Sequence, residues 1–240
     1  GLSYFYICSV LVTRRPTAAM MLGKVRFFLL LISSSLAGAS ITKARLSTAV
    51  WNFMNKFNGI FNNQDEVNDG FKDHDLIEVK IQPVDIPVLR PNPVMLVEEA
   101  VNGKINILEL CVLTDGHDNI INVLRYNFTN PFIHKPGTIK PSALVNLTLN
   151  DLHRDKSCDA EFRLTEDRIA VGKWPSCRHI VDKMHPAYSV MFTCDYYTFT
   201  VVMDMTETPS PEPDIMKRKG PKFPMVVVPD NYDSNCRDTC

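Results

Sequence analysis

The sequence predicts a mainly β protein, and three features of it support this fold class. Apolar residues alternate with polar ones in many short segments, most clearly at Ile77, Val79 and Ile81, which is typical of half-buried strands. The turn pairs Asn102-Gly103 and Asp115-Gly116 are each bounded by apolar runs, as in hairpins. Many antiparallel strands of similar length favour a closed barrel or a sandwich.

The first element of the mature chain is expected to be an amphipathic helix that ends near Asn58-Gly59. Its apolar positions follow one another in steps of four and three, which places them on one face of a helix. These positions are Leu46, Val50, Phe53, Phe57 and Ile60.

Beyond this helix, strands are expected wherever the period-two pattern returns between turn residues. Leucines at helical spacing after Pro141 predict a short helix over 141–153. Residues 206–222 contain several prolines and the basic run Lys217-Arg218-Lys219, which predicts an exposed loop. The strands are expected near 76–82, 94–100, 105–113, 119–126, 159–164, 168–173, 188–194, 196–205 and 223–228.

The composition is that of one ordinary globular domain, with 45% hydrophobic residues and a formal net charge of -1. Because no dense basic block occurs, neither nucleic acid nor an acidic membrane surface is expected as a partner. The sequence also lacks the serine elbow of hydrolases, the His-Glu-x-x-His zinc motif and a phosphate-binding glycine loop. Hydrolase and nucleotide chemistry therefore have no support.

The N-terminal region has the order of a secretory signal peptide, which is basic, then apolar, then small. Lys24 and Arg26 precede the apolar stretch 27–36, and Ala37-Gly38-Ala39 follows it, with cleavage expected before Ser40. The apolar stretch is too short to span a bilayer, and no transmembrane segment is expected downstream. The protein is therefore expected to be secreted.

This interpretation divides the chain into four parts. The first plausible start is Met20 or Met21, so the residues before it are interpreted as an upstream extension. The expected parts are the extension 1–19, the signal peptide 20–39, the β domain 40–230 and a cysteine-containing tail 231–240.

The sequence contains seven cysteines, of which six remain when Cys8 in the upstream extension is set aside. An even count after an export signal implies disulfides, although the sequence does not determine their pairing. Cys111 and Cys194 fall in expected strands and could pair across the barrel. Cys236 and Cys240 could pair locally or with another chain, which would give a homodimer.

Two triplets match the acceptor signal for N-linked glycosylation. They begin at Asn127 and Asn146, and neither has proline in the middle. The independent export signal adds weight to both, because such glycans are attached to secreted proteins.

A series of short motifs runs through the chain in a fixed order. Gly59 to Gln64 is similar to Gly-x-Phe-x-Asn-Gln, and Tyr126 to Pro131 is similar to Tyr-x-x-x-Asp/Asn-Pro. Leucines at 144, 147 and 152 come next, followed by Cys158 and Cys177, and 220–223 is similar to Gly-Pro-x-x-Phe, one residue short. Over about 46–228, this series resembles the CpcT/CpeT chromophore lyase family.

The resemblance implies an antiparallel, calyx-like (lipocalin-like) β-barrel with an N-terminal amphipathic helix. Such a barrel binds a linear tetrapyrrole, or bilin, and helps attach it to a cysteine of a phycobiliprotein. The resemblance also implies a bridge between Cys158 and Cys177 that would pin the hairpin 159–176. The arginine-rich stretch of the family, of Tyr-Arg-Gln-Arg type, is replaced here by the apolar run 107–113. This replacement and the leader favour binding over ligation.

A bilin pocket needs aromatic walls, a carboxylate facing the pyrrole N–H groups, and cations near the propionates. The candidates to contact the propionates are Arg125, Tyr126 and Arg178, which lie next to or within the matched motifs. Asp204 is the candidate carboxylate, at the end of a strand that also carries Tyr197.

Asn63 and Gln64 are candidates for the mouth of the pocket, because they follow the helix directly. The alternative, which we favour, is that these side chains hydrogen-bond backbone groups in the turn after the helix. No metal is expected, since the spacing of Cys177, His179 and His185 matches no standard zinc site.

Three functions are compatible with these features. The first is a secreted bilin-binding protein, with bilin as its cofactor or cargo. The second is a bilin lyase that attaches the chromophore to a protein cysteine. The third is an extracellular matrix or secretory component that keeps the barrel without a ligand.

Overall fold

The structure is a computed structural model that describes most of the chain from Leu46 to Cys236. The described residues are 46–69, 75–165, 168–175, 177, 187–202, 212–226, 228–230, 232–234 and 236. The expected signal peptide and upstream extension lie outside them. No helix in the described ranges is long and apolar enough to cross a membrane.

The described part of the chain contains two short α-helices and eleven strands. The helices are α1 (Thr48–Lys56) and α2 (Gln64–Asn68). The strands are β1 (Gly59–Asn62), β2 (Ile77–Val84), β3 (Val94–Val101), β4 (Lys104–Asp115), β5 (Ile120–Phe128), β6 (Leu152–His153), β7 (Ala160–Thr165), β8 (Ile169–Lys173), β9 (Ala187–Phe192), β10 (Tyr196–Val202) and β11 (Asp214–Lys219).

The strands form a closed antiparallel barrel, which confirms the predicted fold class. Ten of them follow one another in the order β4-β3-β2-β1-β11-β10-β9-β8-β7-β5, and β5 pairs with β4 to complete the ring. The short strand β6 adds to β5 on the outside of this ring. Closure leaves no ring strand with an unpaired edge, and it gives every ring strand one inner and one outer face.

Helix α1 packs into one end of the barrel, which we call the closed end. Its side chains Phe53 and Phe57 lie in the interior cluster, with ring centroids 4.7 Å from those of Phe162 and Phe192, respectively. The backbone N–H of Ser47, just before α1, donates to the Asp115 carboxylate at the end of β4, at 2.9 Å. The helix therefore closes one end with aromatic contacts.

Arg218 on β11 ties the end of α1 to the barrel wall. Its guanidinium donates to the carbonyl oxygens of Lys56 at 3.2 Å and Cys194 at 2.6 Å, and also to that of Asn58. The same group lies over the ring of Phe61, 4.6 Å from the centroid. Gly59 has a φ of +145°, and a side chain there would collide with the guanidinium. This position therefore requires glycine.

The described residues of the C-terminal region, 222–226, 228–230, 232–234 and 236, lie against the closed end. The Asn58 amide exchanges two hydrogen bonds with the backbone of Phe223, at 2.7 and 3.0 Å. The Tyr232 hydroxyl lies 3.2 Å from the carbonyl oxygen of Trp51 in α1. A disulfide between Cys194 and Cys236 fixes the segment to the turn between β9 and β10.

A second apolar cluster lies on the outer face of β3, β4 and β5. It includes Leu96 and Leu110 from the strands. Residues 129–151, which we call the cover segment, run across this face and bury Ile139 and Leu144 against it. The Thr129 backbone N–H donates to the carbonyl oxygen of Asp151 at 3.1 Å, which brings the two ends of the cover segment together.

The disulfides confirm one expected pair and correct another. Cys158 pairs with Cys177, as the resemblance implied. The expected pair of Cys111 and Cys194 is wrong, because Cys194 bonds Cys236 at the closed end while Cys111 is a free, buried thiol inside the barrel. Cys240 lies outside the described residues.

Three expected elements differ in the structure. The described residues of the strand expected near 223–228, which are 223–226 and 228, are not in a strand, since Pro224 has no N–H for a ladder and Phe223 is hydrogen-bonded to Asn58 after α1. The barrel closes with β11, within the region expected to be a loop. The helix expected over 141–153 is two 3-10 turns, Pro141–Leu144 and Leu149–Asp151, since Thr148 starts a new turn by hydrogen-bonding the Asp151 carboxylate.

Candidate functional site

A buried ion pair lies inside the barrel, toward the end away from α1, which we call the distal end. Arg125 on β5 donates to the Glu109 carboxylate on β4, with Nε–Oε2 at 2.7 Å and Nη2–Oε2 at 2.6 Å. The pair forms because Arg125 lies opposite Cys111 in the register, which makes Glu109 its diagonal neighbour on the inner face. The two side chains are only 19% and 8% exposed.

Cys111 is the next inward-facing residue after Glu109 on β4. Its Sγ donates to Glu109 Oε1 at 3.4 Å. Burial raises the pKa of the Cys111 thiol well above its ordinary value, and the negative charge of Glu109 raises it further. The thiol is therefore protonated at neutral pH and acts as a hydrogen-bond donor to the carboxylate.

Two more carboxylates lie near this pair. Glu99 on β3 accepts a hydrogen bond from Asn106 Nδ2 at 2.6 Å. Burial raises the pKa of Glu99, and the charges of Glu109 and Asp214 add to the increase. Asp214 is the first residue of β11, two positions before the inward-facing Met216. In the described residues, the distal interior thus carries three carboxylates around one arginine.

Tyr197 on β10 separates this polar region from the aromatic residues of the closed end. Its ring stacks on that of Phe192, with centroids 4.5 Å apart and planes inclined by 2°. Burial raises the pKa of the Tyr197 hydroxyl well above its ordinary value, and the charges of Glu99, Glu109 and Asp214 raise it further. The phenol is therefore neutral and forms an aromatic floor beneath the carboxylates.

The structure brings two of the expected ligand-binding residues together and separates a third from them. Arg125 and Tyr197 both face the distal interior. Tyr126 follows Arg125 on the same strand, so it points to the opposite face. There it packs in the outer cluster beneath Arg154, whose guanidinium carbon lies 5.4 Å from the ring centroid. Tyr126 is therefore not part of the interior site.

Asn63 and Gln64 have local structural roles. The buried Asn63 side chain donates to the carbonyl oxygen of Asp75 at 2.9 Å and accepts from the N–H of Ile77 at 2.8 Å. Gln64 begins α2 and donates to the side chain of Asn68 at 2.9 Å. The Asn63 bonds fix the connection between β1 and β2, as the favoured turn role predicts, whereas the Gln64 side chain bonds another side chain of α2 rather than the backbone.

Two expected site residues, Arg178 and Asp204, lie outside the described residues. His179 and His185 do so as well. Among the described residues, no group of three or more His, Cys, Asp or Glu side chains is arranged to hold a metal ion.

The two glycosylation candidates lie in different environments. Asn127 is half-buried on β5, opposite Glu109. Its position, two residues after Arg125, places it on the inner face of the barrel. Asn146 is exposed in the cover segment. The described structure thus leaves Asn146 as the more accessible acceptor.

The sequence interpretation did not include Glu99, Glu109 and Asp214 among the site residues. Glu109 is the only charged residue in the apolar run 107–113. A charged residue within such a run is a signal of a buried, partnered group, because an unpaired charge there would be costly. Pairing the strands on either side of Asp115-Gly116 would then have brought Glu109 near Arg125.

Two solved structures are similar to this chain. The T-type phycobiliprotein lyase CpeT from Prochlorococcus phage P-HM1 is 14% identical, with a TM-score of 0.47, over 72% of this chain and all of that chain. The CRL protein of Arabidopsis is 10% identical, with a TM-score of 0.50, over 71% of this chain and 97% of that one. This chain shares the fold of the CRL protein.

At this level of identity, the likeness concerns the fold alone. No protein-family model matches the sequence, and no curated protein matches it. The architecture that the motif resemblance implied, a closed antiparallel barrel with a helix at one end, is thus the one that the structure shows. What this barrel binds depends on its own interior residues.

Proposed function

We propose that this chain is a secreted protein that binds a bilin, or a related linear tetrapyrrole, in the distal interior of its barrel. The observation that carries the proposal is the set of carboxylates around Arg125 above the aromatic floor of Tyr197. Buried charges cost stability unless they have partners, and apolar residues of similar size would stabilise a barrel at least as well. Their presence in the interior therefore favours a ligand.

The chemistry of these residues fits a bilin. The pyrrole N–H groups are donors, and the carboxylates of Glu99, Glu109 and Asp214 are acceptors at the same end of the barrel. Arg125 would pair with a propionate, since the planar guanidinium matches a carboxylate with two parallel hydrogen bonds. Tyr197 and the rings beneath it would stack against the conjugated chain.

Secretion is part of the same proposal and has separate support. Two disulfides join described cysteines, and disulfides persist in oxidising compartments. Expression of the full chain in secretory cells should release the protein into the medium, trimmed near Ser40. Retention in the cytosol with an intact N-terminus would contradict this part of the proposal.

The binding test is a titration of the full chain, produced in a bacterial host with an oxidising cytoplasm. Biliverdin or phycocyanobilin should change its long-wavelength absorbance on mixing with the protein. Arg125→Gln should weaken this binding about tenfold or more, because a charged partner of a propionate is lost. Arg163→Gln, at an exposed position on β7, is the matched control and should bind like the parent.

The titration also separates the other two functions. An unchanged spectrum with both pigments would leave the barrel as a scaffold without this ligand. Colour that stays on this chain in acidic denaturant would show a covalent bond to one of its own cysteines, whereas the lyase hypothesis requires colour that stays on an added acceptor protein. Cys111→Ser would then show whether the free interior thiol is the attachment point.

A further inference from the structure

The cover segment exposes large apolar side chains on its outer side. Ile139 and Leu144 are buried beneath it, but Phe132 is 68% exposed and Ile133 is 77% exposed. Leu149, in the last turn of the segment, is 56% exposed. Adjacent exposed Phe and Ile side chains form a contiguous apolar patch, and such patches favour a binding surface.

These side chains lie close to the distal end of the barrel. Phe132 and Ile133 form one 3-10 turn, Pro131–Ile133, directly after β5. Strand β5 runs from the closed end to the distal end, so the turn begins where the interior site is located. The hydrogen bond between Thr129 and Asp151 holds the turn of Leu149 near the same point. The exposed apolar residues therefore flank one side of the distal end.

All but the last residue of the cover segment are free of negative charge, and that residue, Asp151, accepts hydrogen bonds from the N–H and hydroxyl groups of Thr148. Between Thr129 and Asn150 it contains Lys135 and Lys140 but no Asp or Glu. Both lysines are exposed, and neither takes part in a salt bridge with a described residue. The net charge of the whole chain is -1, so this positive, acid-free stretch is a local feature.

We propose that the outer side of the cover segment docks on a phospholipid bilayer that contains anionic headgroups. Phe132 and Ile133 would enter the boundary between headgroups and acyl chains, as apolar residues of peripheral membrane proteins do. Lys135 and Lys140 would remain at the surface and pair with anionic headgroups. Such docking would hold the distal end of the barrel beside the bilayer. Neither the net charge nor the length of the apolar runs reveals this surface in the sequence, whereas the exposed apolar turn is visible in the structure.

The test is cosedimentation of the full chain with vesicles of phosphatidylcholine alone or with phosphatidylglycerol added. The bacterial host avoids a glycan at Asn146. The double variant Phe132→Ser/Ile133→Ser should bind the mixed vesicles at least about tenfold more weakly than the parent. The matched control Val171→Ser/Ile215→Ser removes two other exposed apolar residues, 45% and 44% exposed, and should bind like the parent.

Charge reversal tests the second part of the interaction. Lys135→Glu/Lys140→Glu should lose the preference for mixed over pure phosphatidylcholine vesicles, by about fivefold for each lysine. Because Phe132→Ser/Ile133→Ser and Lys135→Glu/Lys140→Glu change only residues of the cover segment, their differences from the parent report this surface. Urea unfolding of each variant would establish that all of them fold.

Equal vesicle binding by the parent and by Phe132→Ser/Ile133→Ser would overturn the proposal. A second copy of the chain as the occupant would also overturn it, and light scattering would show this as a dimer that the same substitutions dissociate. The pigment titration is independent, because it measures the interior residues. Failure of docking and failure of bilin binding are therefore distinguishable.

Discussion

The two ends of the barrel interior contain opposite kinds of side chain. At the closed end, α1 inserts Phe53 and Phe57 among aromatic residues of the wall. The Arg218 guanidinium there donates hydrogen bonds to backbone carbonyl oxygens. At the distal end, Glu109 and Arg125 are paired side chains within a group of further carboxylates. The first arrangement stabilises the fold, whereas the second is costly to bury and favours a ligand. The closed end of the barrel thus contributes mainly to stability, and the distal end has the residues suited to binding a ligand.

The largest expected effect is at the closed end. Phe53 is fully buried, so Phe53→Ala should lower the free energy of unfolding by about 3–5 kcal/mol through lost contacts and a cavity. Urea denaturation measures this loss. Phe132→Ala, at an exposed position, is the control and should change stability by less than about 0.5 kcal/mol. A loss below about 1 kcal/mol for Phe53→Ala would show that α1 does not form the core of this end.

The ion pair of the distal end should give the next largest effect. Glu109→Gln removes the negative charge of the carboxylate that the Arg125 guanidinium contacts at 2.6 Å and should cost about 3 kcal/mol of unfolding free energy. The double variant Glu109→Leu/Arg125→Met removes both charges and should be more stable than Glu109→Gln. The same double variant should lose bilin binding in the absorbance titration. If the double variant binds pigment like the parent, Glu109 and Arg125 are not part of the pigment site, and the proposed difference between the two ends is wrong.

A smaller effect is expected where Arg218 meets α1. Gly59→Ala places a side chain against the guanidinium at a φ of +145°, and it should cost about 2 kcal/mol of unfolding free energy. Gly103→Ala is the matched control, because Gly103 also has a positive φ, +75°, but an added carbon there meets nothing within 4 Å. If both variants lose the same amount, the contact with Arg218 contributes no stability.

The smallest effect is a pH dependence at the distal end. Burial raises the pKa of Glu99 above its ordinary value of 4.5, so the folded protein holds this proton more tightly than the unfolded chain. The contribution of Glu99 to stability is therefore complete below pH 4.5 and is lost as the pH rises through the raised pKa. Glu99→Gln should flatten the fall of stability with increasing pH in urea titrations. The exposed control Glu78→Gln should leave the slope unchanged.

The β2–β5 region could be predicted from the sequence because β2 alternates, prolines mark the connection between β2 and β3, and Asn102-Gly103 and Asp115-Gly116 mark the turns that follow β3 and β4. Strand β11 could not, since Lys217 and Lys219 with the nearby prolines have the composition of an exposed loop. In the structure both lysines point outward and lie within 4.0 Å of the Asp65 carboxylate. The tertiary pairing, not the local pattern, therefore makes this segment a strand.

The candidate site was only partly predictable for a similar reason. Arg125 and Tyr197 were named from the motifs and the requirements of a bilin. Glu109 was missed because both faces of β4 are buried over 108–113, so the run shows no alternation that assigns a face. The register with β5 settles its direction, and register arises from long-range pairing.

The position of β11 has a consequence for synthesis of the protein on the ribosome. Arg218 and Asn58, which meet at the closing seam, are 160 residues apart in the sequence. Until the last strand emerges, β1 and β10 present unpaired edges, and such edges recruit other chains. Ribosome-bound or truncated chains that end before Asp214 should therefore depend on chaperones and aggregate when released. The nascent barrel is therefore exposed to aggregation until β11, whose sequence is the least typical of a strand, has paired with β1 and β10.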